Sequence, residues 1–265
     1  MSGSVERIYA LVLRHIHIWR SSVMRLVDSI YWPAVQMVMW GFMTQYLLPQ
    51  ASFVAQAAGV LLSGLMLWEV VVRGNLSLSI AFLEEMWSRN LGHLFVSPIR
   101  PWEMATGIVI VALLRTLLGL IPVSLMAWAF FGYSIYTLGL PLIAFFFILQ
   151  MFSWSIGLAM SGMIMRVGQS AESFAWAAVF ILMPLSGVYY PVTVLPHWLQ
   201  VISYALPPAY IFEGMRAILR DHTVQWHQLA LAFGLSVLYL VIGFQVFLAF
   251  FRSSRRAGSL LGQGE

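Results

Sequence analysis

The stretch LGLPLIAFFFIL, residues 138–149, decides the fold class of this 265-residue chain. Its apolar residues do not alternate with polar ones, as they would in a strand of a membrane β-barrel. Backbone groups in lipid need hydrogen-bond partners within their own segment, so this run predicts a membrane helix. The chain is 61% hydrophobic and 9% charged, whereas a soluble domain is about 25% charged. So much apolar surface cannot be buried inside a chain of this size. We therefore predict an all-α membrane protein.

Six apolar stretches are long enough to cross about 30 Å of hydrocarbon, which takes about 20 helical residues. They cover residues 29–48, 55–78, 104–128, 137–162, 172–190 and 229–251. We expect one membrane domain over residues 1–265, with the six-span bundle at 29–251 and a flexible cytoplasmic tail at 252–265. Residues 4–25 have one apolar and one charged helical face. This pattern predicts a helix at the inner membrane interface; a plain cytoplasmic lead-in is the alternative.

The arginines predict the orientation of the bundle, since cytoplasmic connections carry most of the positive charge. All fourteen basic residues are arginine. Two lie on one side of the predicted bundle, two lie inside spans, and ten lie on the other side: Arg7, Arg14, Arg20, Arg25, Arg89, Arg100, Arg166, Arg252, Arg255 and Arg256. We therefore expect a multi-pass protein of the cell (inner) membrane with both termini in the cytoplasm. The net charge of +4 then indicates membrane orientation, and we expect no nucleic-acid partner.

The sequence excludes several kinds of catalytic site. It contains no cysteine and no lysine, so a thiolate metal site, a cysteine nucleophile, a Schiff-base lysine and a Walker A lysine are all excluded. There is no GxSxG or HExxH motif. His222 and His227 are five residues apart, which is a weak metal-ligand spacing and is more typical of interfacial polar residues. We predict no catalytic residue, no metal and no cofactor in this chain.

Three charged residues fall inside predicted spans: Glu69, Arg73 and Arg115. Each costs about 2.5–3.5 kcal/mol at the centre of a membrane helix, so each is expected to have a partner. Glu69 and Arg73 are one helical turn apart and can pair. Depth counted from the predicted cytoplasmic ends places Glu69 level with Arg115, so that pair is also open. Such a pair would fix the register of two helices, or would line a substrate path.

Two connections between spans are longer than a simple turn. Residues 84–98 contain charges at their start and Pro98 at their end, which predicts a short cytoplasmic helix that binds a partner. Residues 191–228 are divided by four prolines but stay apolar on one side. This second connection is predicted to be re-entrant or interfacial on the outer side, because its apolar pieces are too short to span. A second short helix is expected at 209–220.

Two parts of the sequence resemble the type-2 ATP-binding-cassette (ABC) exporter permeases. The first is the segment 82–99, FLEEMWSRNLGHLFVSPI. The second comprises the motifs LSGVYYP at 185–191, LP at 195–196 and LPP at 206–208, with Arg216. The resemblance covers about residues 5–251. Neither motif is specific alone, but both occur in the family's order on six predicted spans.

The resemblance implies a permease that lacks its own ATP site. Two copies, as a homodimer or with a paralogue, would form the pore within membrane lipid, and separate ABC ATPase subunits would hold ATP and Mg. The exported substrate would be a glycan, a glycolipid or another amphiphile. The implied ATPase-coupling residues are Glu84, Glu85, Met86, Trp87, Arg89, Asn90, His93 and Leu94. The implied outer re-entrant segment contains Tyr189, Tyr190, Pro191, Pro196, Trp198, Pro207, Pro208 and Arg216.

An ATP-independent channel or secondary carrier is the alternative function. Such a protein would normally carry polar residues through several spans, or show inverted half-repeats with broken helices. Neither pattern is clear in this sequence.

Overall fold

The fold is a bundle of long α-helices, seen in a computed structural model that describes residues 2–20, 23–47, 52–87, 99–168 and 172–257. These residues contain nine α-helices, two short 3-10 turns and no strand. The helices are α1 Ser2–Arg20, α2 Val23–Leu47, α3 Ser52–Trp87, α4 Pro101–Phe131, α5 Pro141–Val167, α6 Glu172–Leu185, α7 His197–Tyr204, α8 Pro207–Asp221 and α9 Trp226–Ala257. The prediction of an all-α membrane protein is confirmed.

Within the described residues, four helices are long and apolar enough to cross a membrane: Gly59–Ala81 in α3, Trp102–Phe131 in α4, Pro141–Val167 in α5 and Trp226–Ser254 in α9. The first predicted span corresponds to α2, which has 25 residues. The predicted span at 172–190 was too long, because α6 ends at Leu185 after 14 residues. Gly187 adopts a φ of +63° just beyond it, a left-handed conformation that ends a helix and that glycine adopts without a Cβ penalty.

Helices α3, α5 and α9 run in the same direction. Along α3 and α5, Gly74 lies against Gln150, and Leu78, one turn later, lies against Gly157. The hydroxyl of Ser236 in α9 donates to the carbonyl of Ile148 in α5. Further along both helices, Phe247 packs beside Gly162. Contacts that advance together along two helices require that the helices be parallel.

Helices α4 and α6 run in the opposite direction. Arg73 of α3 lies against Gly119 of α4, whereas Glu84, three turns later, pairs with Arg115. Asn75 of α3 donates to the carbonyl of Ala175 in α6. Helices α3, α4, α5 and α6 therefore alternate in direction along the chain. Leu11 of α1 and the C-terminal residues Phe247 and Phe251 belong to the same apolar cluster, so both described ends of the chain lie at the same end of the bundle.

Helix α8 fills the core near the opposite end of the bundle. Ile211, Phe212 and Met215 have no exposed surface, and the ring of Phe212 lies 6.3 Å from that of Trp68 in α3. The second short helix predicted at 209–220 is thus confirmed. Because its apolar face is buried against membrane helices, α8 anchors the preceding residues 186–206, named here the α6–α8 segment.

Two further boundary predictions were wrong. A separate helix was expected to begin at Glu84, but residues 84–87 are the last turn of α3. No proline occurs between Ser52 and Trp87, so nothing in that stretch breaks the helix. A flexible tail was expected from residue 252, but α9 continues to Ala257, and Phe251 is held in an apolar cluster at that end.

Candidate functional site

The charged residues predicted inside the membrane form two separate ion pairs. The Nε of Arg73 donates to Glu69 Oε2 at 3.2 Å, so Glu69 pairs within its own helix. Both side chains are largely buried, at 13% and 5% exposed. The guanidinium lies against Gly119 of α4, where a Cβ would come within 2.6 Å of it. Gly119 therefore leaves the room that this buried guanidinium occupies.

Arg115 pairs with Glu84, and the alternative pair with Glu69 is wrong. Arg115 Nη2 lies 3.0 Å from Glu84 Oε2, and the guanidinium carbon lies 4.3 Å from the ring centroid of Trp19 in α1. A cation over a tryptophan face is attracted by the ring quadrupole. The depth comparison failed because it took the second span to end at residue 78, whereas α3 continues to Trp87. Helices α1, α3 and α4 meet at this cluster, named here the Arg115 joint.

A third ion pair was missed by the sequence analysis. Arg7 of α1 binds both carboxylate oxygens of Glu103, with Nε at 2.9 Å and Nη2 at 2.6 Å. The same carboxylate accepts the backbone N–H of Arg100 at 2.9 Å. The hydrogen bond to Glu103 raises the pKa of Arg7. Proline at the first helical position with a glutamate in the first turn, here Pro101 and Glu103, is a helix-start signal that sequence inspection alone can find.

Helix α1 lies along the first half of α4 and runs in the same direction. The paired residues are Arg7 with Glu103, Leu11 with Gly107, and Trp19 with Arg115, each 96 positions apart in the chain. The sequence predicted this helix and most of its apolar face, but it extended the helix to residue 25, whereas α1 ends at Arg20 and Val5 is 67% exposed. That face is covered by α4, because Val12 and Trp19 are buried against Val111. Whether α1 also lies in the membrane interface stays a prediction.

The α6–α8 segment is held by a buried arginine. Arg216 Nη1 donates to the carbonyl of Gly187 at 2.8 Å, and Arg216 Nη2 lies 3.0 Å from Glu213 Oε1. The same glutamate oxygen accepts the backbone N–H of Val192 at 2.7 Å. One ion pair on α8 thus fixes both the turn after α6 and the 3-10 turn that follows. Glu213 and Arg216 were predicted to lie one turn apart, and they do.

The turn after α6 also packs on two membrane helices. The ring of Tyr189 stacks on Trp40 of α2, with centroids 4.9 Å apart. The carbonyl oxygen of Val188 faces Gly64 of α3 so closely that a Cβ there would be 2.7 Å away. Ser203 of α7 donates to the carbonyl of Leu185. The segment therefore covers one end of the α2–α3 pair.

The other predicted residues of this segment have different surroundings. Pro207 and Pro208 begin α8 and are buried, whereas Trp198 on α7 is 66% exposed. The Tyr190 hydroxyl donates to the carbonyl of Pro184 at 2.9 Å. The remaining two prolines each stand directly before a helical element: Pro191 precedes the 3-10 turn and Pro196 precedes α7.

The predicted ATPase-coupling residues are only partly described. Glu84 belongs to the Arg115 joint. Glu85, Met86 and Trp87 lie in the last turn of α3, but their side chains are outside the described residues. Arg89, Asn90, His93 and Leu94 also lie outside the described residues. Their role as a docking surface stays a prediction.

The arrangement holds helices together. The charged residues discussed above form four ion pairs: one joins α1 to α4, one joins α3 to α4, one lies within α3 and one lies within α8. Among the residues that the structure describes, no three histidine, aspartate or glutamate side chains are grouped to hold a metal ion. These contacts are suited to transmitting motion between helices.

The chain matches the family model of ABC-2 type transporters over residues 8–219. The match runs from α1 almost to the end of α8, and so includes the Arg73–Glu69 and Arg115–Glu84 pairs and the α6–α8 segment, whereas Arg7 lies one residue before it. A comparison with curated proteins gives no match. The family expected from the coupling and outer motifs is confirmed, and the chain is a membrane transport protein that belongs to the ABC-2 type transporter family.

Proposed function

We propose that this chain is the transmembrane subunit of an ATP-driven exporter, that two copies form the substrate path, and that separate ATPase subunits drive it. The match to the ABC-2 type family over residues 8–219 carries this proposal. The absence of lysine supports a separate motor, because a P-loop needs its lysine to reach the phosphates. ATP and Mg would bind to the partner chain.

The coupling of ATPase movement to the bundle would pass through residues 88–98. On one side of this segment, α3 ends just after Glu84, which is bound to Arg115. On the other side, the backbone N–H of Arg100 is bound to Glu103, which also holds Arg7. A displacement of the segment would therefore reach α4 and α1 from both of its ends. These contacts support its assignment as the docking element.

The proposed substrate is a glycan, a glycolipid or another amphiphile moved outward from the cytoplasm. The aromatic content of 15% supports this class, since aromatic rings stack on sugars and on apolar chains. The partly buried pair of Trp40 and Tyr189 is a candidate contact along the path. The orientation with both termini in the cytoplasm follows from the arginine distribution.

The first experiment is co-expression with candidate ATPase subunits, followed by purification and reconstitution into liposomes. We expect a stable complex whose ATP hydrolysis drives export of a labelled amphiphilic glycan. The readout is the ATP-dependent loss of label from the leaflet on the cytoplasmic side of the transporter, where the ATPase subunits bind. Transport that proceeds without any ATPase subunit would instead establish the secondary carrier or channel.

The docking assignment has its own test. Glu85→Arg and Trp87→Ala change the predicted docking surface, and we expect both to lower copurification of the ATPase while the chain still inserts and folds. Trp226→Ala is the control, because Trp226 is 67% exposed at the start of α9, at the end of the bundle away from Glu85 and Trp87. Normal ATPase recovery with both docking variants would refute the assignment.

A further inference from the structure

The parallel helices α3 and α5 approach each other closely through glycines. A Cβ at Gly74 would be 3.0 Å from Nε2 of Gln150, and a Cβ at Gly157 would be 3.0 Å from the backbone carbonyl of Asn75. The amide nitrogen of Gln150 thus lies against Gly74, the residue that precedes Asn75 in α3, and the backbone of Asn75 lies against α5. This region is named here the amide seam.

The amide seam contains buried polar atoms that have no hydrogen-bond partner among the described residues. Asn75 and Gln150 are both 0% exposed. The amide nitrogen of Asn75 donates to the carbonyl of Ala175 at 3.1 Å, but its Oδ1 has no partner. Both Nε2 and Oε1 of Gln150 also lack a partner. Three amide atoms on two facing helices are therefore unsatisfied.

Neighbouring hydroxyl groups already use their protons on their own helices. Ser79 donates to the carbonyl of Asn75 at 3.2 Å, and Ser153 donates to the carbonyl of Gln150 at 2.9 Å. A buried polar atom left without a partner costs about 1–3 kcal/mol. Because the surroundings are packed membrane helices, bulk water cannot meet this cost. Another molecule is needed to satisfy the three atoms.

We propose that the amide seam is a binding site for an uncharged hydroxyl group. A hydroxyl can donate to Asn75 Oδ1 or Gln150 Oε1 and can accept from Gln150 Nε2, so it supplies both the donor and the acceptor that these atoms lack. An anion would face amide oxygens, and a cation such as Ca²⁺ takes six or more oxygen ligands, usually with carboxylates. Buried waters typically make about three hydrogen bonds, as this site requires.

The hydroxyl can come from water or from the transported molecule. The second source rests on the proposed function, whereas the first does not. Failure of ATP-driven transport would therefore not affect the proposal of a bound water. Likewise, the absence of any bound hydroxyl in the amide seam would not affect the proposed transport function.

A double-mutant cycle tests the site in the purified full chain in lipid nanodiscs. Gln150→Leu and Asn75→Leu each remove one side of the site, and the readout is the folded-to-unfolded ratio during denaturation. We expect Gln150→Leu to lower this ratio about tenfold, the equivalent of one or two lost hydrogen bonds. The double variant should lose clearly less than the product of both single effects, because both residues bind the same hydroxyl.

Ser161→Ala is the matched control. Ser161 also lies on α5, but its hydroxyl is satisfied by the carbonyl of Gly157 at 2.7 Å. Combined with Asn75→Leu it should give an additive loss. If Gln150→Leu raises stability and is additive with Asn75→Leu, the seam is dry and the proposal is overturned.

An experimental high-resolution map of the unmodified chain in synthetic-lipid nanodiscs separates the two sources. An isolated density peak between Asn75 and Gln150 would establish water. A continuous density would establish a hydroxyl-bearing molecule carried over from the membrane. Amide groups in direct contact with each other, with no further density between them, would overturn the proposal.

Discussion

The Arg115 joint makes a quantitative prediction about stability. Arg115→Met removes the cation that lies between Glu84 and Trp19 but keeps an apolar side chain of similar length. Glu84 is 14% exposed. Water therefore has little access to its carboxylate and cannot replace the lost contact with Arg115 well. Removal of one partner from a buried pair costs about 3–5 kcal/mol, and the lost cation–π contact adds about 0.5–2 kcal/mol. We expect a total loss of about 3.5–7 kcal/mol.

A second substitution should recover most of this loss. In Arg115→Met with Glu84→Gln, the carboxylate that loses Arg115 is gone, so the remaining cost should be about 1–2 kcal/mol, similar to a few lost hydrogen bonds. In Arg115→Met with Glu69→Gln, the two losses should add, because Glu69 is bound to Arg73 and not to Arg115. The second double variant is the matched control for the first.

The assay is equilibrium unfolding of the purified chain in mixed micelles, followed by helical circular dichroism. A fixed micelle composition is needed, since stabilities are comparable only under constant conditions. Rescue by Glu69→Gln, without rescue by Glu84→Gln, would refute the assignment of the joint. Equal additivity in both double variants would show that the Arg115–Glu84 contact contributes no coupling energy.

Three further predictions follow from close contacts. Gly64→Ala should destabilise the chain by about 1–3 kcal/mol through overpacking, since its Cβ would meet a backbone carbonyl at 2.7 Å. Gly234→Ala is the control in the same unfolding assay, because Gly234 has open space around it. Equal effects of the two substitutions would contradict the close contact at Gly64. Gly187→Ala should cost about 1–2 kcal/mol because of its φ of +63°, and it should speed proteolysis of the α6–α8 segment. Arg7→Met should release α1 from Glu103, measured as faster amide hydrogen exchange in α1; unchanged exchange would show that apolar packing alone holds this helix.

Much of the fold was predictable because lipid restricts what a chain can do. Hydrocarbon forces backbone groups into helices, so apolar runs such as 138–149 located helices correctly. Boundaries were less predictable. The end of α3 at Trp87 was placed about nine residues too early, because polar residues at a helix end can be carried by tertiary contacts, and here Glu84 is bound to Arg115.

Within the candidate site, pairs that are local in sequence were predictable and distant pairs were not. Glu213 with Arg216, and the possible pair Glu69 with Arg73, follow from helical spacing alone. The partner of Arg115 depends on the vertical register of α3 against α4. A few residues of error in one helix end shift that register by several ångströms, which is more than the length of a salt bridge.

Composition and charge distribution by themselves determined that this chain is helical and embedded in a membrane. Apolar runs of this length are driven out of water, and in lipid their backbone groups must find hydrogen bonds within the same segment, whichever helices pack around it. Tertiary structure alone decided that α1 lies along α4, that Gly64 faces the carbonyl of Val188, and that Asn75 and Gln150 share one interface. Such contacts join residues far apart in the chain, and their energies depend on ångström-scale distances that no local pattern encodes.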